Sequence, residues 1–301
     1  MNWPTASTTS VVRRSPLSSH TTFGIGGPAE WAARPRTAGE VEALLHAARG
    51  EGMPVRCVGM GSNLLVSDEG VGGLVLLMRG LDHVSFDGDL VVAGAGVTNT
   101  RMYLGARDRG LGGLECLIGY PGTLGGAVRM NAGGTPGYIG ARVEWVRGVD
   151  EAGRVVMRPA AECGFRYRGS DLSDLVVTEV ALRLPREDDL DAYVLRCDEI
   201  NRKKRASQPM SLPSAGCAWK NPPGDAAGRL VDFAGCKGLR VGGAEVSTVH
   251  ANFIVNRGGA TCADVLSLMA AVRRRVFDAA GILLDQEVIH WGDAAVALSG
   301  R

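Results

Sequence analysis

Residues 119–134 read GYPGTLGGAVRMNAGG. The Pro121-Gly122 turn, the Gly125-Gly126 pair and the Asn131-Ala-Gly-Gly run leave a long strip of nearly bare backbone. Each glycine gives up more conformational freedom on folding than any other residue. A strip of this length therefore implies an extended ligand lying against it, and a dinucleotide suits its length better than a purely structural role. Pro121, Gly122, Thr123, Gly125, Gly126 and Asn131 are the candidate contacts.

Upstream, GMGSNLL (59–65) follows a short apolar run. Gly59 and Gly61 free their N–H groups to form an anion nest, and Ser62 and Asn63 add side-chain donors, a pattern suited to a pyrophosphate. Read alone, a tight turn explains these residues equally well. Leu64 occupies the third glycine position of G-x-G-x-x-G, so this is not a Rossmann fingerprint. The 43 glycines among 301 residues are about twice the usual share of roughly 7%. They show no G-X-Y period and cluster at turns between apolar runs.

Composition narrows the function classes. A hydrophobic content of 45%, 22% charged residues and a formal net charge of +1 are those of a soluble globular protein, without the field that recruits nucleic acid or an anionic membrane. The seven cysteines form no C-x-x-C and no zinc-finger spacing with histidine, so a reduced, cytoplasmic chain without a metal is expected. The N-terminus lacks the apolar core of a signal peptide, and no apolar run is long enough to span a bilayer. No G-x-S-x-G elbow is present. Of the histidines, His250 and His290 read as packing residues.

Periodicity predicts helices near 38–49 after Thr37, near 99–109, over 188–206 with Leu190, Val194, Leu195 and Ile200 apolar, near 226–234, and over 262–280. The last begins at Thr261 with Asp264 three residues on and stops before Gly281. Strands are expected near 55–58 and 74–78, in LVVAGAGV, VEWVRGVD, LVVTEVALRL and ANFIVN, and in the closing ILLDQEVIHW, with EAG (151–153) as a hairpin turn. The organisation that follows is a flexible tail (1–19), an α+β domain over 20–186 with lobes of about 20–78 and 79–186, a connecting helix (187–204) and a smaller α+β domain (205–301).

Three further places carry possible chemistry. FRYRGS (165–170) sets Arg168 beside an aromatic residue, although a surface arginine is the commoner fate. LLDQEV places Glu287 in an apolar run, where a buried carboxylate needs a partner; a solvent-facing charge is the other reading. PSAGCAWKNP (213–222) has a thiol, Cys217, amid small residues, where filler is the simplest account.

Taken together, seven ordered blocks resemble the UDP-N-acetylenolpyruvoylglucosamine reductase family: HTTFGIGGPAEW (20–31), GMGSNLLV (59–66), GYPGTLGGAVRMNAG (119–133), CGFRYRGSDL (163–172), RASQPMSLPSAGCAWKNP (205–222), GCKGLRVGGAEVSTVHANFIVN (235–256) and GILLDQEV (281–288). The resemblance implies an α+β fold, with a two-lobed FAD-binding unit of the vanillyl-alcohol-oxidase type and a smaller substrate domain. It implies FAD and NADPH as cofactors, and an enolpyruvyl ether of a UDP-sugar as the substrate reduced to UDP-N-acetylmuramate for peptidoglycan. By matching positions it implies that Arg168 and Glu287 stabilise the charge that hydride addition creates. Cys217 then stands where the family's serine proton donor lies, Lys220 and Asn221 contact substrate with Tyr167, and Arg205 meets the UDP phosphates. The short separation of Arg168 from Cys217 resembles the shorter of the family's two types, without an extra substrate-covering loop. A monomer is expected. The departures are Cys217 itself, Trp219 for a common phenylalanine, Cys236 in a GLKG-like run and Gln286 for a proline. Another flavin oxidoreductase on the same scaffold, or an inactive flavin-binding paralogue, are the alternatives, because fold and flavin motifs do not fix the substrate.

Overall fold

The computed structural model describes residues 9–292, which divide into two compact units that are discontinuous in sequence. The first comprises residues up to 13, 31–60 and 73–204, and the second 14–30, 61–72 and 205 onward. The contiguous boundaries expected from the sequence differ from this, because two short segments ahead of residue 73 pack with the C-terminal part of the chain.

The first unit is built on a five-stranded antiparallel sheet, in the order Val155–Pro159, Val143–Asp150, Leu175–Arg183, Leu90–Gly94, Val84–Asp87. The hairpin between the first two turns at Glu151–Gly153, with Gly153 at φ +81°. Val55–Val58 pairs in parallel with Val71–Leu77 through Leu74–Leu77. Helix α1 (Ala38–Gly50) starts at Thr37, whose hydroxyl accepts from the Glu40 N–H, and buries Val41, Leu44 and Ala48. Helices α2 (Asn99–Arg107) and α3 (Leu124–Arg129) follow. Leu44, Leu74, Leu76, Val91, Met102, Leu124, Val146, Val180 and Leu182 form one core around them.

Helix α4 (Leu190–Ser207) corrects the expected apolar face. Leu195 is 70% exposed and Leu190 41%, whereas Tyr193 and Cys197 are buried and pack with Tyr103 of α2 and Ile118. The aromatic ring and thiol bury more completely than the aliphatic residues, so the face is set by Tyr193, Cys197 and Ile200 at helical spacing.

In the second unit, Ser214–Cys217, Phe253–Asn256, Ala244–Val246 and Arg240–Val241 form an antiparallel sheet in that order. Helix α5 (Ala227–Phe233) and helix α6 (Cys262–Ala280) pack with it. The expected strand ILLDQEVIHW is a strand only at Ile289–Trp291, which pairs in parallel with Leu64–Val66. Residues 1–8 of the expected tail lie outside the described residues, but 9–19 are not a tail. Val11–Pro16 is a strand and Leu17, 1% exposed, is a core residue. The Leu17 and Ser18 N–H groups donate to Gly27 and Gly26 carbonyls at 3.1 and 3.2 Å.

Helix α6 is the main apolar element of this unit. It buries Val265, Leu266, Leu268, Met269, Val272 and Val276, each contributing roughly 1.5–3 kcal/mol on removal from water. Its N-terminus is closed twice over. Thr261 and Asp264 form a reciprocal capping box, and the Asp68 carboxylate accepts from Cys262 N (2.8 Å) and Ala263 N (3.1 Å). Gly281 ends it in the left-handed region at φ +68°. Thr261→Ala is therefore expected to cost about 1 kcal/mol, measured as a lower urea midpoint with an unchanged slope.

Candidate active site

The glycine strip of the first unit combines close packing with open backbone. Gly59 sits against Thr123, the residue preceding α3: a Cβ on Gly59 would lie 2.1 Å from Thr123 Oγ1. A Cβ on Gly125 would lie 2.7 Å from the Ala95 Cβ, and the Gly125 N–H already donates to Ala95 O at 2.9 Å. Gly59 and Gly125 thus let strand, loop and helix approach. Gly122 (φ +156°) gives its carbonyl to Asn99 N at 3.0 Å, while neither the Gly122 nor the Thr123 N–H donates to a backbone carbonyl among the described residues. Pro121 and Gly126 are exposed. Asn99 is 3% exposed and donates from Nδ2 to Tyr120 O at 3.3 Å, yet its buried Oδ1 has no partner among the described residues. An open N–H pair beside an orphaned buried oxygen fits a polar group lying along Pro121–Thr123.

Asn131 and Arg168 belong to one construction. Asn131 (φ +43°) donates from Nδ2 to Arg166 O at 3.0 Å and accepts at Oδ1 from Gly140 N at 3.0 Å. Its Nδ2 thus holds the 164–170 loop, while its Oδ1 holds the Gly140 turn. In that loop Ser170 Oγ donates to Arg129 O at 2.8 Å, and Arg166 and Asp171 are paired. Arg168 is itself in the left-handed region at φ +55°, a conformation costly for a residue with a Cβ and held only where surroundings determine it. Its Nη1 donates to Gly133 O at 2.9 Å and its guanidinium lies 5.3 Å from the exposed Tyr167 ring.

The second unit supplies the thiol and the carboxylate. Ser214–Cys217 is a strand, although neither periodicity pointed to one. Its register breaks between Ser214 and Cys217, where Gly216 takes φ +73°. Beyond it, Trp219 is 1% exposed, and its peptide is gripped by the buried Asn252. Trp219 N donates to Asn252 Oδ1 at 2.9 Å and Asn252 Nδ2 donates to Trp219 O at 2.8 Å. Residues 285–287 pair along this segment: Glu287 N donates to Ala218 O and Lys220 N to Asp285 O, both at 2.8 Å. Glu287 is thus half-buried and outside any continuous strand, between the buried and the solvent-facing readings of its run. Asn63 ties in as well, donating from Nδ2 to Glu287 O (3.2 Å) and accepting from Ile289 N (2.9 Å).

This brings Cys217, Glu287, Ser62 and Asn63 into one neighbourhood, with a Cβ on Gly216 lying 3.7 Å from Ser62 O. Gly61 is at φ +60°, and a Cβ there would meet His20 O at 2.5 Å, so only glycine fits. Among the described residues the Gly61, Ser62 and Asn63 N–H groups donate to no backbone carbonyl, which suits an anion nest. Leu64 is 6% exposed, so its side chain is core and only its backbone can serve a ligand. Asn221 Oδ1 accepts from Ala227 N at 2.9 Å at the start of α5, which occupies that end of its amide. Lys220 and Arg205 are exposed. Burial lowers the pKa of His250, and its Nδ1 accepts from Asn252 N at 3.2 Å, so it serves as a neutral packing residue.

Three residues that the sequence did not single out belong to these sites. Asn99 lies in no quoted block, and Asn252 lies in the 235–256 block without being singled out. Lys204 lies in the basic run RKKR (202–205) and continues the Tyr193, Cys197, Ile200 spacing onto the buried side of α4.

Residues 29–157 match an FAD-binding domain family, and residues 208–291 match the C-terminal domain of UDP-N-acetylenolpyruvoylglucosamine reductase. The chain is 44% identical over 285 residues to the UDP-N-acetylenolpyruvoylglucosamine reductase of Moorella thermoacetica, covering 94% of each chain. The chain belongs to the UDP-N-acetylenolpyruvoylglucosamine reductase family. A Heliobacterium modesticaldum member of the reductase family is 42% identical over 96% of this chain and 93% of its own. The crystal structure of the Thermus caldophilus reductase superposes with a TM-score of 0.80 at 38% identity, covering 94% of this chain and 99% of that one. A solvent-stable cholesterol oxidase and the 6-hydroxy-D-nicotine oxidase of Arthrobacter nicotinovorans align over 62% of the chain with TM-scores of 0.51 at 22% and 21% identity, a likeness of fold alone. The fold is accordingly α+β with the FAD-binding architecture of the vanillyl-alcohol-oxidase type. No helix among the described residues is long and apolar enough to cross a membrane.

The packing of Gly59 on Thr123 gives a direct expectation. Gly59→Ala would displace Thr123 and the start of α3, so the purified variant should carry less than a tenth of the wild-type flavin per protein by absorbance, while its circular dichroism is unchanged.

Proposed function

We propose that this chain is the family's FAD-dependent reductase, using NADPH to convert UDP-N-acetylglucosamine enolpyruvate to UDP-N-acetylmuramate for peptidoglycan. The observation that carries the reading is the pairing of 285–287 with 218–220. It sets Glu287 beside the Cys217 loop through the Glu287 N to Ala218 O bond. An arrangement of a thiol, a carboxylate and exposed Lys220 is what reduction of an enolpyruvyl ether needs and what a flavin-binding protein without catalysis does not.

The chemistry FAD supplies when bound is hydride transfer from NADPH to the enolpyruvyl double bond. Pro121–Thr123, with Gly126 and Asn99 beside it, is the backbone that would hold its pyrophosphate, and Gly61–Asn63 is a separate anion nest. Hydride addition leaves negative charge shared with the substrate carboxylate. Arg168, locked by Gly133 O and by its own strained backbone, is the fixed cation for that charge, and preorganisation makes it effective. Cys217 then delivers a proton from Sγ to the substrate carbon. A thiol has an ordinary pKa of about 8.5, so it is mostly protonated near neutral pH and is a better acid than the family's serine hydroxyl. Glu287 stabilises or assists that step, Lys220, Asn221 through its Nδ2, and Tyr167 contact the substrate, and Arg205 meets its phosphates. The first unit is the FAD-binding domain and the second the substrate domain, acting as a monomer of the shorter type. The seven free cysteines agree with a cytoplasmic site of action.

The protein should be yellow, bleach anaerobically with NADPH, and regain colour with the UDP-sugar enolpyruvate but not with simple alcohols; recovery with alcohols would assign it to the oxidases of the same fold. Within that assay Cys217→Ser should keep turnover, whereas Cys217→Ala should lose about 10²-fold or more, the scale of a general-acid contribution. Near-normal turnover of the alanine variant would remove Cys217 from the mechanism.

A further inference from the structure

Helix α4 ends with a lysine turned inward. Tyr193 and Cys197, three and two turns earlier, are buried against Tyr103 and Ile118, and this anchoring fixes where the side chain eleven residues after Tyr193 projects. Lys204 Nζ donates to the carbonyl of Ile118 and lies 3.2 Å from the centroid of the Tyr120 ring. Gly119 stands between those two residues at φ +71°, and a Cβ there would lie 2.9 Å from Lys204 Cδ. The three residues that begin the cofactor strip are thus each in contact with one side chain.

Tyr120 extends the construction in both directions. Its carbonyl accepts from the Asn99 amide at 3.3 Å, and its hydroxyl lies 3.4 Å from the position of a Cβ on Gly134. Gly134 adjoins Gly133, whose carbonyl holds Arg168. Burial, aided by the like charge of Arg168, pulls the Lys204 pKa down to about 8, with the Cys116 thiol opposing. A lysine is kept in such surroundings only where its contacts offset the cost of burying it.

We propose that Lys204 is a positioning residue for the cofactor: through the Ile118 carbonyl and the Tyr120 ring it fixes Gly119–Thr123 in the conformation that receives the pyrophosphate of FAD. The proposal rests on the reading of Pro121–Thr123 as cofactor backbone. Lys204 acts by holding the loop that receives the cofactor. The ammonium over the ring is a cation–π contact and its bond to the carbonyl is charge-assisted, so both need a cation at this position.

The test is titration of the flavin-stripped full chain with FAD, followed by quenching of tryptophan fluorescence, alongside thermal unfolding of the stripped protein. Lys204→Met should weaken FAD about tenfold, the scale of a lost charged hydrogen bond and cation–π contact, with stripped-protein Tm within a few degrees of wild type. Lys204→Arg, which keeps cation and donor, should recover most of that affinity. The Lys204→Met/Tyr120→Leu double variant should bind no worse than the weaker single variant, because both remove one contact. Wild-type affinity in Lys204→Met, or an arginine variant as weak as the methionine one, overturns the proposal. If Lys204→Met does not fold, Tyr120→Leu is read in the same titration, and unchanged affinity there overturns it too. Failure of the wild-type chain itself to take up FAD would instead overturn the cofactor reading on which the proposal stands.

Discussion

The peptide of Trp219 is the fixed point of the second unit of this protein. Both its N–H and its C=O are taken by a single side-chain amide, that of Asn252, in a buried setting where an unpaired peptide group would cost about 1–3 kcal/mol. Because Asn252 O also accepts from Ala218 N at 2.8 Å, residues 218 and 219 have no freedom to shift along the sheet. Cys217 lies immediately before the lock, and Lys220 and Asn221 immediately after it. Once the lock is set, the 285–287 segment has only one register in which Glu287 N reaches Ala218 O and Lys220 N reaches Asp285 O. A thiol and a carboxylate 70 positions apart in sequence are thereby brought to neighbouring segments by backbone bonds.

The first unit solves a different problem, that of keeping donors open. Backbone N–H groups bind an anion only if secondary structure has not already consumed them. Here the glycines do two jobs. Gly59 and Gly125 allow chain segments to touch without a Cβ between them, and Gly122 adopts a turn whose N–H is left over. Such a strip has little to hold its own shape. Asn99 and Lys204 brace it from two helices, through the carbonyl and the ring of Tyr120, and Asn131 holds the Arg168 loop through its Nδ2.

Strain and rigidity go together at Arg168. A left-handed backbone on a non-glycine residue persists only where neighbours compel it, and the neighbours are identifiable: Asn131 on Arg166 O, Ser170 on Arg129 O and Gly133 on the guanidinium. A cation fixed in this way needs little reorganisation when negative charge develops beside it, which is the condition for electrostatic catalysis.

By itself the sequence determined the elements whose signals are local. Thr261 and Asp264 mark the start of α6 and Gly281 its end, because a capping box and a left-handed glycine are satisfied within a few residues of chain. The glycine runs at 59–61 and 119–134 likewise declared themselves, since a bare backbone is costly wherever it occurs. The ordered blocks carried the family, and the roles proposed for Arg168, Cys217 and Glu287 rest on that resemblance. Only the tertiary structure decided which side chains serve those residues. Asn252 and Asn99 act through single amides at long sequence separation, Lys204 is hidden inside a basic run, and Leu17 turns an N-terminal segment that reads as polar tail into core. Each depends on what packs against it from far along the chain, and no periodicity in one segment encodes its distant partner.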